Sequence, residues 1–237
     1  MDKDVFIFIG RSGCGKGTQK DLLIKKLQDI GMPFLSIYTG DSLRSFISSH
    51  SFVAQKVKSA VATGDLAPSF VASTMWSQIL MDQYQENQSL IFDGSPRTLD
   101  EAQELENAIK FLGFISPVVI NLNVSNSWSR DRLLARKRED DSVEAVNKRL
   151  AWYEASVSQV VSYYRSNSFY CFKEINGEQT IPKVAEDILS ALPYLKQAPV
   201  ANRMKSLQYV DTKDSLETSI QQNGKLETQN FIRSQNP

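Results

Sequence analysis

The chain has 237 residues, enough for one sizeable domain and a tail, and its 41% hydrophobic content is that of an ordinary globular protein. Lys+Arg and Asp+Glu number 27 each, a formal net charge of zero, so the basic excess of a general nucleic-acid or membrane-surface binder is missing and any cationic function must be local. Two cysteines, Cys14 and Cys171, and a single histidine, His50, rule out a disulfide framework and a four-thiolate zinc site; a reducing, cytoplasmic compartment and no structural zinc are expected.

Met1 to Asp4 precede the apolar run Val5-Phe6-Ile7-Phe8-Ile9, which is too short for a signal peptide or a membrane span. Its β-branched and aromatic residues predict a strand buried on both faces. Glycine-rich sequence follows from Gly10 to Gly15. Leu22, Leu23, Leu27 and Ile30 then repeat at helical spacing until Gly31 stops them. Phe34 to Tyr38 reads as a second strand, Ser89 to Asp93 as a third, Val118 to Leu122 as a fourth and Phe169 to Ile175 as a fifth. Helices are predicted over Phe70 to Gln85, Leu99 to Leu112, Trp128 to Arg136, Val143 to Tyr164 and Ile181 to Leu192. This alternation predicts an α/β fold with a parallel five-stranded sheet flanked by helices. Residues 39–68 break the alternation with short polar helices and read as a small inserted subdomain, leaving 1–38 and 69–195 as the core. Residues 196–237 are rich in Gln, Asn, Ser, Thr and Lys and read as a flexible polar tail.

Gly10-Arg11-Ser12-Gly13-Cys14-Gly15-Lys16 follows a strand and opens a helix, the context of a phosphate loop. Glycines let backbone N–H groups turn inward around polyphosphate oxygens, the helix N-terminus adds partial positive charge, and Lys16 supplies a full one. Gly17 stands between Lys16 and Thr18, where the generic pattern has Ser or Thr directly after lysine. Cys14 reads as a small loop residue that contributes its backbone N–H.

Gly15-Lys16-Gly17-Thr18 resembles the nucleoside monophosphate kinases, and four more segments in family order strengthen the likeness: Thr39 to Arg44, Gly64 to Pro68, Asp93 to Thr98, and Arg138 to Asp141 followed by Lys148-Arg149-Leu150. The likeness extends to Asn176 to Gln179 and covers roughly residues 4–193. It is nearest to the adenylate kinases with a short lid, here 136–141, and implies a P-loop NTPase-like core with a monophosphate-binding insertion.

The resemblance implies an ATP site made by Gly13, Cys14, Gly15, Lys16, Gly17, Thr18, Arg132, Arg136, Gly177 and Gln179. It implies an AMP site made by Thr39, Arg44, Asp65, Leu66, Ala67, Gly94, Ser95, Pro96, Arg97, Glu101, Arg138 and Arg149. Lys16, Arg44, Arg97, Arg136, Arg138 and Arg149 would gather the charge of two polyanions, which repel once water leaves. Asp93 would hold a water bound to the Mg2+ that accompanies ATP, with no metal ligated directly by the protein. Asp140 and Asp141 would pair with these arginines or cap the next helix. Partners are then ATP and AMP rather than nucleic acid or membrane, and a monomer is expected.

Thr39 favours an adenylate kinase over the UMP/CMP kinases, which usually have Ala there. Glu101 departs from the glutamine that reads adenine in many adenylate kinases: a carboxylate accepts a hydrogen bond from the adenine amino group but cannot donate one to N1 unless protonated. A pyrimidine monophosphate kinase on the same fold therefore stays open, as does a catalytically silent nucleotide-binding module. Ser12, Ser69 and Ser95 also replace common family residues. Deleting residues 196–237 should leave steady-state turnover largely unchanged; a large loss would show that the tail docks on the core.

Overall fold

Val5–Gly10 forms β1 and is buried along its whole length. In the computed structural model, which describes residues 3–136 and 142–196, β1 lies at the centre of a five-stranded sheet. It pairs in parallel with β3 (Ser89–Asp93) on one side and β4 (Val118–Asn123) on the other. β2 (Phe34–Tyr38) and β5 (Cys171–Asn176) complete the order β2-β3-β1-β4-β5, again in parallel. The chain thus leaves β1 towards one edge and returns later to the other, and the crevice at this reversal lies beyond the carboxyl ends of the strands.

The pleat divides the core into two layers. Val5, Ile7 and Ile9 join Phe92 from β3 in one cluster, against Trp76 of α4 (Ser69–Gln83), Leu105 and Ile109 of α5 (Leu99–Phe111) and Tyr164 of α8 (Ser158–Ser166). Phe6 and Phe8 face the other way and cluster with Leu23 and Leu27 of α1 (Lys16–Asp29) and Ile188 of α9 (Ile181–Ala191). Between β2 and α4 stand two short helices, α2 (Thr39–Ile47) and α3 (Phe52–Ala62), where the insertion was expected. After β4 come α6 (Asn126–Arg136) and α7 (Val143–Trp152). Among the described residues no helix is long and apolar enough to cross a membrane.

Element ends shift by up to two residues from the sequence reading. The helix expected over Val143 to Tyr164 is interrupted by a π-helical turn at Tyr153–Val157. β5 starts at Cys171 rather than Phe169, since Phe169 and Tyr170 pack ring against ring at 5.0 Å before the ladder begins. The described residues run to Lys196, and Leu195 in the turn Pro193–Lys196 is fully buried. Most of the lid segment, 137–141, with Arg138, Asp140 and Asp141, and the tail 197–237 lie outside the described residues.

Phe92 is fully buried and meets Trp76 edge to face at 6.2 Å. Truncating Phe92→Ala should cost about 3–5 kcal/mol in a urea unfolding curve, the range for a large ring removed from a core.

Candidate active site

The loop after β1 is shaped by contacts that leave its backbone facing outward. Gly13 has φ of 82°, and a Cβ there would stand 2.9 Å from Leu133 Cγ, so only glycine lets α6 pack this close beneath the loop. The Ser129 hydroxyl of α6 donates to Ser12 O at 2.6 Å. α1 opens after Gly15, itself at φ 97°, with no side-chain cap and no acidic residue in its first turn. Its leading N–H groups and helix dipole are therefore available to an anion. Lys16 Nζ donates to Gly10 O at 2.8 Å and Arg11 O at 2.9 Å, and lies 3.5 Å from Cys14 Sγ. Cys14 is buried, and Thr18 is exposed at the first turn.

Asp93 ends β3 beside this turn: its Oδ2 is 3.7 Å from where a Gly17 Cβ would be. Burial pushes its pKa up, while Lys16, Lys20 and Arg97 pull it down. Four residues on, Arg97 lies 5.7 Å from the Trp152 ring. Burial lowers the Arg97 pKa, the nearby Glu101 and Asp93 oppose that, and the Arg149 cation adds to it. Arg149 on α7 is itself buried. A small cleft joins the two sides, lined by Gly10, Lys16, Gly94, Pro96, Arg97 and Trp152 among others.

The insertion is tied to α7. Asp65 accepts from Lys148 Nζ at 2.7 Å and from Thr63 Oγ1 at 3.1 Å, and Gly64 O accepts from Trp152 Nε1 at 3.0 Å. Leu66 and Ala67 follow, half-buried. Thr39 and Ser95 are buried, and Arg44 ion-pairs with Asp41 while donating to the Tyr38 hydroxyl at 3.2 Å. On the ATP side, Gly177 N donates to Asn123 O at 2.8 Å, and Gln179 Nε2 bonds Asn176 O and Asp187 Oδ2, both at 2.9 Å. Arg132 stacks over Trp128 at 4.4 Å, and both Arg132 and Arg136 are exposed on α6.

The structure therefore brings Lys16, Gly94, Pro96 and Arg97 to one crevice, with Asp93 and Arg149 buried near Arg97. Gln179 instead straps its loop to α9, and Arg132 covers an indole.

The adenylate kinase family profile matches residues 8–169. The chain is 31% identical to an adenylate kinase of Bacteroides fragilis, over 80% of this chain and 98% of the relative. It is 30% identical to an adenylate kinase of Desulforudis audaxviator, over 78% and 98%, and 31% identical to adenylate kinase 1 of a Nostoc species, over 78% and 97%. The chain belongs to the adenylate kinase family. It is a nucleoside monophosphate kinase, a phosphotransferase on a P-loop α/β fold.

Against that family background, Glu101 is bound in an unexpected way. It is 2% exposed, its Oε2 accepts from Arg97 N at 2.9 Å, and its own N–H donates to Thr98 Oγ1 at 3.3 Å. Thr98 thus caps α5, while the Glu101 carboxylate reaches one residue beyond the cap and grips the backbone of the Arg97 loop. The carboxylate that sequence offered to a base is turned to its own chain. Four further residues at the site were given no role by the motifs. Arg11 Nε donates to Val124 O at 3.0 Å, its Nη1 pairs with Glu154 at 2.5 Å, and its guanidinium lies 4.1 Å from the Tyr153 ring. Lys20 lies one turn after Lys16 on α1, Tyr38 ends β2 in register with Asp93, and Trp152 follows Arg149 by three helical positions. Helical spacing from Lys16 and from Arg149 is the signal that could have found Lys20 and Trp152.

Burial raises the Glu101 pKa, while the Arg97 N–H and guanidinium act against the rise. The folded chain then holds this proton more tightly than the unfolded chain. Its contribution to stability is present below the ordinary glutamate range and is lost as pH rises through the raised value. Glu101→Gln keeps an acceptor for Arg97 N and removes the titration. Its melting temperature should fall less than that of the wild type as pH rises through that window; parallel curves in a thermal-melt series would exclude the effect.

Proposed function

We propose that this chain transfers the terminal phosphoryl group of ATP to AMP, reversibly, giving two ADP. The observation that supports it is the single crevice lined by Lys16 and Arg97, with Arg149 beside Arg97. A cation from the phosphate loop and a cation from the β3 loop face one hollow at the switch point of the sheet. That arrangement suits two phosphates meeting end to end, and the names of the relatives favour adenine nucleotides on both sides.

The chemistry requires little beyond position and charge. The attacking group is an oxygen of the AMP phosphate, already ionised near neutral pH because its second pKa lies near ~6. No general base is needed. The loop N–H groups and Lys16 hold the ATP phosphates, with Gly13 to Thr18 as cradle. Arg97 and Arg149 fix the AMP phosphate in line, with Arg44 and Thr39 beyond them. Arg136 and Arg138 would close over the transferring group as ADP leaves, and closure excludes water that would otherwise take the phosphoryl group.

Among the described residues no three acidic, His or Cys side chains cluster to cage a metal. One buried carboxylate beside the loop still fits Mg2+, which keeps several waters and takes one or two carboxylates together with substrate phosphates. Asp93 would hold it through water, and it would neutralise charge on the ATP phosphates. We assign the protein to the cytoplasm as a monomer with nucleotide substrates and no nucleic-acid or membrane partner, in keeping with its zero formal charge. A pyrimidine acceptor is the second reading, because Glu101 is occupied by Arg97 N and leaves the base contact to other residues.

A coupled assay of nucleoside diphosphate formation with AMP, CMP, UMP and dAMP separates the readings. AMP should give the highest kcat/KM, and Lys16→Ala should lose about 10²-fold or more. A preference for CMP or UMP would move the chain to the pyrimidine enzymes, and trace turnover with tight ATP binding would make it a binding module.

A further inference from the structure

At the end of β2 stands a phenol that no phosphate-binding motif calls for. Tyr38 is in register with Asp93, and a Cβ on Gly40 would stand 2.9 Å from its Cζ and 3.0 Å from its hydroxyl. The first turn of α2 is thus built around the ring. A Cβ on Gly94 would lie 3.7 Å from Tyr38 Cε2 and 3.7 Å from Arg97 Nη2, so phenol and buried guanidinium border the same glycine. Lys20 Nζ sits 5.2 Å from the ring centre and the Arg44 guanidinium 5.5 Å.

These contacts settle which way the hydroxyl works. Arg44 donates to the Tyr38 oxygen at 3.2 Å, which occupies it as an acceptor. Among the described residues none accepts the phenol proton, so Tyr38 presents a donor beside Lys20, Arg44 and Arg97. Two cations near the ring draw electron density from the oxygen and strengthen that donor. A donor surrounded by cations, on the acceptor side of the crevice, is matched to an anion.

We propose that Tyr38 binds the acceptor nucleotide directly, its hydroxyl donating to a phosphate oxygen of the monophosphate, with Lys20 and Arg44 polarising it. This rests on the acceptor reading above and adds a contact to it. Tyr38 would then share the acceptor phosphate with Arg97 and Arg149. Serving the acceptor alone, it should leave the ATP cradle unaffected.

The test is calorimetric titration of the full chain with AMP and with adenosine, alongside steady-state kinetics. A hydrogen bond to a charged phosphate is worth about 1.5–3 kcal/mol, so Tyr38→Phe should weaken AMP binding about 10- to 100-fold. Adenosine binding should not change, and KM for AMP should rise while KM for ATP holds. Lys20→Met leaves the hydroxyl in place and should weaken AMP about two- to fivefold, as expected for loss of one cation–π contact, which covers the case in which Tyr38→Phe melts early. Equal AMP affinity in wild type and both variants overturns the assignment, as does an equal loss of adenosine binding. Should the wild type fail to phosphorylate AMP at all, the substrate reading fails instead.

Discussion

A guanidinium buried beside a second guanidinium is tolerable only where carboxylates, or an anionic ligand, stand close enough to offset it. Arg97 is held under that constraint. Burial and Arg149 both act against its charge, and Asp93 and Glu101 support it. The two carboxylates are themselves buried and pushed towards their neutral forms. The charge of Arg97 is thus offset from its own chain by two buried carboxylates. Under the function proposed above, a phosphate entering beside Arg97 would add to that offset.

Such a cluster persists only on a rigid frame. Three central strands buried on both faces fix the carboxyl ends from which Gly10, Asp93 and Asn123 emerge. The frame is apolar, so dielectric relaxation near the site is limited and each charge acts over a longer range than in water. Glu101 performs a second task there: by accepting from Arg97 N it sets the turn that aims the guanidinium. One carboxylate both compensates Arg97 and holds its backbone. A change at Glu101 therefore acts through arginine geometry before it acts on any base.

The fold was largely readable from the chain. β-branched runs between glycine-rich turns marked the strands to within a few residues, because a strand buried on both faces admits little else. The cap at Thr98 was also present as Thr98-Leu99-Asp100-Glu101, the spacing of a reciprocal helix cap, although the Glu101 carboxylate reaches one residue further. Aligning that position with a base-reading glutamine drew attention away from the local spacing. The π-helical turn left no such trace, since Leu150, Tyr153, Val157, Val160 and Tyr164 keep a helical rhythm across it. Tyr38 and Lys20 were hidden for a different reason: motif matching registers residues that agree with a family, and these act where no motif residue stands.

The π turn and the phosphate loop meet at Arg11. Its guanidinium reaches Val124 O after β4, and Tyr153 and Glu154 at the start of the turn. Without the wider turn, residues beyond Trp152 would rotate by a different amount, and Tyr153 and Glu154 would not both face the loop. The same helix carries the buried Arg149 and, at the rim of the crevice, Trp152 just before the turn begins. The segment that carries Arg149 thus also braces the phosphate loop through Arg11. Under the function proposed above, one continuous stretch of chain would bear on the sites of both substrates.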